Sequence, residues 1–216
     1  MSRSAQNHPY HYSVDKNIIQ QMLDWAIPAG LFLLYFYFYN FGKVTPSEMV
    51  KTSGLMAISL LALTLAVGPI ARFIPALDIL KAHRKFWGIA SFLFLILHLS
   101  LVVIFYLKFN VLTLFDSSNP KFAGLMAGLL AFIILLLVTL TSNQKAIRNL
   151  DPKVWKLIQT TSYLALILAV IHFYLLEQVN GALVIKRMLG KITFGFAVFV
   201  IIVRVVVLFL PNRKNH

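Results

Sequence analysis

Residues 86–107 read FWGIASFLFLILHLSLVVIFYL, and within this stretch His98 is the only acidic or basic side chain. About 20 predominantly apolar residues in a helix cross the roughly 30 Å of bilayer hydrocarbon. The stretch therefore reads as a membrane span with one imidazole inside it. Working outward in both directions, five further stretches meet the same length, at 22–41, 54–73, 122–141, 155–177 and 192–210. The expected fold is an all-α integral membrane protein, a bundle of six transmembrane helices. Its connections are short and polar, among them VTPSEMVKT, FIPALDILKAHRK, FDSSNPK and SNQKAIRNLDPK, and their Pro, Asn, Asp and Lys residues mark turns. No connection is long enough for a second domain. The expected division is a polar tail at 1–21, a transmembrane domain at 22–210 and a short tail at 211–216.

With 59% hydrophobic and 12% charged residues, the chain has more apolar surface than a soluble domain of its 216 residues hides. The excess is expected to face the lipid bilayer. The net charge of +13 does not point to nucleic acid, because the cations lie in short segments between apolar runs. The tails and the second and fourth loops hold twelve Lys and Arg residues, the other three loops seven. The richer side is expected to be cytoplasmic, which puts both termini there. Arg204 falls inside the sixth span, in its inner half, where it can snorkel to the interface. The first twenty residues lack the apolar core of a signal peptide, so the first span is expected to serve as an uncleaved anchor. The chain has no cysteine. That excludes disulfides, zinc thiolates, iron–sulfur clusters and covalently attached haem, and leaves histidine as the main metal ligand.

Pro28 and Pro69 lie inside spans and are expected to kink them, with neighbouring helices satisfying the freed carbonyls. Gly124 and Gly128 form a GxxxG pair, expected to serve close packing within the monomer rather than dimerisation. No sequence repeat is evident.

Six histidines occur. His8 and His11 lie in the amino-terminal tail, His216 ends the chain, and His83 falls in the second loop. Only His98 and His172 lie inside spans, where ionisable groups are expensive and mark a pathway or a bound group. Both fall in the outer halves of the third and fifth spans, which run parallel. Two imidazoles at similar depth on parallel helices suit the two axial positions of one haem iron, in a pocket of Leu, Phe and Ile. A bis-His iron is saturated and suited to electron transfer. The competing reading is a haem-free scaffold or small transporter in which the two histidines hydrogen-bond across helices.

The segments GPIAR (68–72), Arg84, Lys85 and Gly88 leading to LHLS around His98, LTSNQKAIRNLDPKVW (140–155), Tyr163 and AVIHFYL around His172 form an ordered set. Together they resemble the ferric-reductase-like transmembrane domain family, and within it the haem-binding membrane subunits of periplasmic methionine-sulfoxide reductase systems. The resemblance implies a multi-pass protein of the bacterial inner membrane that binds haem b. Its implied role is to pass electrons to a periplasmic molybdopterin-type reductase subunit. Relatives in this superfamily carry a second histidine about thirteen residues before the outer one on the fifth span, and here that position is Gln159. His83 lies fifteen residues before His98, about 60° away around the helix, but lacks an evident partner. One haem is therefore expected, near the outer face. Its donor is read as the quinone pool through a quinol, with a cytoplasmic flavin reductase as the other candidate.

Arg84, Lys85 and Trp87, at the inner end of the third span, are candidates for a haem propionate, an FMN phosphate or lipid headgroups. Asp24 reads as a helix-start carboxylate rather than a proton carrier. Glu177 and Gln178 read either as a solvated helix end or as the lining of a quinol or propionate site. No nucleophile–base pair or phosphate loop is visible. A stand-alone ferric or quinol-linked reductase remains the alternative function.

Overall fold

A computed structural model describes residues 18–210. The tail histidines His8, His11 and His216 and the tail cations lie outside the described residues. Six helices are long and apolar enough to cross a membrane, and the protein is an all-α membrane bundle. Helix α1 (Ile18–Leu34) continues as a π-helical stretch over Tyr35–Tyr39. Phe41 and Gly42, both at positive φ, then turn the chain. Helix α2 (Pro46–Ala71) begins eight residues earlier than the hydropathy alone implies. The Thr45 hydroxyl accepts from the Glu48 amide at 3.3 Å and Pro46 opens the helix, so T-P-S-E is a helix start. Helices α3 (Arg84–Phe105) and α4 (Phe122–Leu140) follow, and α5 (Gln144–Asn149) is a single short turn between spans.

The fifth span is divided into α6 (Pro152–Thr160) and α7 (Ser162–Leu176). Thr160, Thr161 and Ser162 each return a hydroxyl to a carbonyl three or four residues back, at 2.6–2.8 Å. Such bonds compete with the helical ladder and bend it. A two-residue-per-strand hairpin, β1 (Gln178–Val179) with β2 (Ala182–Leu183), leads to α8 (Met188–Phe209).

Helix α2 is the axis of the bundle. Its Leu55, Met56, Leu60, Leu61, Ala62, Leu65 and Ala66 are buried, whereas Leu93, Leu130, Leu137 and Ile202 on other helices are exposed, facing the expected lipid. Since lipid is as apolar as Leu, the helices associate through close packing and interhelical hydrogen bonds. Both are present around α2. Ser91 donates to the Ala57 carbonyl at 2.7 Å, and Tyr35, in the π-helical stretch after α1, bonds both Ser59 on α2 and Thr193 on α8. Pro69 removes the donor that would reach the Leu65 carbonyl. The Tyr163 hydroxyl on α7 donates to that carbonyl at 2.9 Å instead. At the end where α2 begins, Arg187 grips both oxygens of Glu48 and lies 4.6 Å over the Tyr39 ring, joining three helices.

Candidate cofactor site

His98 on α3 and His172 on α7 face each other with ring centres 6.3 Å apart and planes at 87°. His98 Nδ1 lies 2.9 Å from the Val50 carbonyl, and His172 Nδ1 lies 2.8 Å from the Gly124 carbonyl. A carbonyl only accepts, so each Nδ1 carries the hydrogen and each Nε2 keeps its lone pair. A partner on one nitrogen fixes the tautomer and orientation of an imidazole that ligates through the other. Two rings bound to one ion at about 2.0 Å per bond, each with its nitrogen roughly 1.2 Å from the ring centre, have centres about 6.4 Å apart. The observed gap would fit one iron held between the two imidazoles.

Glycine makes both positions. A Cβ on Gly54 of α2 would stand 3.0 Å from His98 Nδ1, and one on Gly128 of α4 would stand 2.6 Å from His172 Nδ1. Val50 and Gly54 thus treat His98 as Gly124 and Gly128 treat His172: a carbonyl binds the ring and a glycine one turn on clears its face. All three pairs of equivalent positions are 74 residues apart. The α2–α3 and α4–α7 pairs therefore repeat one arrangement around the two rings, a repetition that side-chain identity does not reveal. The GxxxG pair serves packing within the chain: Gly124 admits Leu175 and Leu176, and Gly128 admits His172.

Among the described residues no three His, Cys, Asp or Glu side chains converge as a metal site. Two ligands suffice only for a group that brings its own remaining donors, and the porphyrin of haem does so.

The other sequence candidates lie elsewhere. Gln159 spends its amide on the carbonyl of Val138 and the hydroxyls of Thr141 and Ser142, at 3.2, 3.2 and 3.3 Å, tying α6 to the end of α4. Gln159→Leu removes all three bonds and is expected to lower stability by about 1–2 kcal/mol, measured by thermal unfolding in detergent, with no change in the cofactor spectrum. Arg84 donates Nε to the Thr64 carbonyl at 2.9 Å, Lys85 is exposed, and Arg204 lies 4.8 Å over the Tyr163 ring. Trp87 is buried and stacks on His83, with ring centres 5.5 Å apart. His83 is fully buried, its Nδ1 2.9 Å from Asp24 Oδ1. Sequence reasoning misses this pair, because it places His83 in a loop and reads Asp24 as a helix-start carboxylate. Glu177 lies 3.7 Å from Lys51, and Gln178 starts the small hairpin.

Six membrane-length helices and two carbonyl-anchored imidazoles define a polytopic helical membrane protein with a histidine pair inside the bundle. The family described as ferric reductase like transmembrane component matches residues 53–170, a segment that holds His98 and ends two residues before His172, and the chain belongs to that family. It is also similar to the protein-methionine-sulfoxide reductase heme-binding subunits MsrQ of Salmonella paratyphi B, Salmonella newport and Salmonella dublin. Each is 33% identical over 150 residues, covering 67% of this chain and 74% of the relative.

Proposed function

We propose that this protein is a membrane b-type cytochrome in which His98 and His172 hold a single haem through their Nε2 atoms. It delivers electrons to a methionine-sulfoxide reductase, a periplasmic molybdopterin-type subunit. The observation that carries the reading is the pair of opposed imidazoles 6.3 Å apart, each with Nδ1 committed to a carbonyl. Haem supplies reversible one-electron transfer at a site with no open position. The protein's part is to fix the two rings, exclude water with the surrounding Leu, Phe and Ile side chains, and give the electron a low-dielectric path. The similarity to MsrQ subunits, named for haem binding and methionine-sulfoxide reduction, supports both cofactor and partner.

The membrane is the bacterial inner membrane, with both termini cytoplasmic, as the excess of cations in the tails and the second and fourth loops supports. The donor is a membrane quinol. Gln159 engages α4 with its amide, and no second pair of intramembrane histidines occurs in the spans to relay electrons from a cytoplasmic flavin. Arg84 and Lys85 are the residues to which an FMN phosphate would bind if a flavin donor served instead.

The test is stopped-flow spectroscopy of the purified protein in lipid nanodiscs. Quinol is expected to reduce the haem, and a molybdopterin-type methionine-sulfoxide reductase supplied with methionine sulfoxide is expected to reoxidise it. Reoxidation by ferric chelates alone, with none by the reductase, would favour the stand-alone reductase.

A further inference from the structure

The surroundings of the imidazole pair are lopsided along the bundle axis. From His98 back to Lys85, and from His172 back to Lys156, no side chain is acidic or basic, and the same holds for α2 from Gly54 to Ala71 and for all of α4. That apolar section extends about 20 Å along α3. In the opposite direction charge appears at once. Lys51 follows Val50, the residue whose carbonyl holds His98, and its Nζ reaches 3.7 Å from Glu177, the residue that ends α7 five positions beyond His172. Lys121 stands at the start of α4, three residues before the Gly124 carbonyl that holds His172. Helices α2 and α4 also begin at this end, where the helix dipole favours anions.

A b-type haem carries two carboxylates on one edge. Turned into the apolar section they would lie at membrane depth, where the cations beside it, Arg84 and Arg204, are already engaged by the Thr64 carbonyl and the Tyr163 ring, the costlier arrangement. We propose that the haem is held with its propionate edge toward the end where α2 and α4 begin, and that Lys51 anchors a propionate there. This assignment rests on the haem reading above. The ammonium is placed for the role: it is half-exposed, it spans the mouth between the two helix pairs, and its partner Glu177 is too far for a hydrogen bond. A propionate takes the ammonium, and Glu177 competes for it.

The experiment is a redox titration of the full-length protein reconstituted with haem b or with its dimethyl ester, whose propionates carry no charge. Removing a cation beside the haem disfavours the reduced state, so Lys51→Gln is expected to lower the midpoint potential. Lys51→Arg is expected to restore it, and Glu177→Gln, which frees the ammonium, to raise it. With the dimethyl ester, most of the Lys51→Gln shift is expected to vanish. An unshifted potential in Lys51→Gln, or a shift equally large with the ester, overturns the assignment. So do shifts of the same sign in Lys51→Gln and Glu177→Gln. Those results leave the haem itself in place, whereas failure of the unaltered protein to take up haem overturns the cofactor reading first.

Discussion

Gly128→Ala is expected to weaken haem binding by about 10- to 100-fold, the usual cost of disturbing a group that orients a metal ligand. The added methyl would lie 2.6 Å from His172 Nδ1 and 2.9 Å from its Cε1, closer than real Cβ contacts come. Neither atom belongs to a flexible chain end. The ring has to turn, and turning breaks the 2.8 Å bond from Nδ1 to the Gly124 carbonyl and re-aims Nε2. Gly54→Ala makes the matching change beneath His98, but its contact is 3.0 Å, so a smaller loss is expected. Titration of haem into apoprotein, followed by the Soret band, measures both. Equal, undiminished affinity in the two variants would mean that the glycines do not shape the site.

The second large effect is on stability. Asp24→Ala leaves His83, which is 0% exposed, without the carboxylate that holds its Nδ1. Stranding one member of a buried hydrogen-bonded pair costs about 1–3 kcal/mol, and more where both are charged. The loss is expected as a lower thermal midpoint in detergent. His83→Ala breaks the same bond from the other side, so the double variant is expected to fall well short of the sum of the singles. Additive losses would show that the pair contributes nothing as a pair. Trp87 has its own stake, since it stacks on His83 and its indole N–H is also buried without a partner.

What the sequence shows, and what it hides, follows from where each interaction leaves a mark. The six spans are legible because lipid selects about 20 apolar residues per crossing. His98 and His172 stand out because an ionisable group inside such a run is expensive. Their anchors do not stand out, because Val50 and Gly124 act through main-chain carbonyls, to which any residue type contributes equally. The glycines are half-legible: Gly128 belongs to a GxxxG pair, while its counterpart Gly54 has no companion four residues away. Only the shared spacing of 44 residues from each glycine to its histidine links them. The early start of α2 was readable in T-P-S-E and was hidden by the Lys51 charge, which the helix carries at its mouth. The Asp24–His83 pair joins residues 59 apart across two helices, and nothing local marks such a contact. Each residue alone reads as a polar group near a membrane boundary.

The measurement closest to the central claim is haem stoichiometry and the reduced-minus-oxidised spectrum of the purified protein, of His98→Ala and of His172→Ala. One haem per chain with a low-spin b-type α band is expected, lost in both variants while their helical content is retained. A full haem complement in either variant would contradict the clamp between His98 and His172.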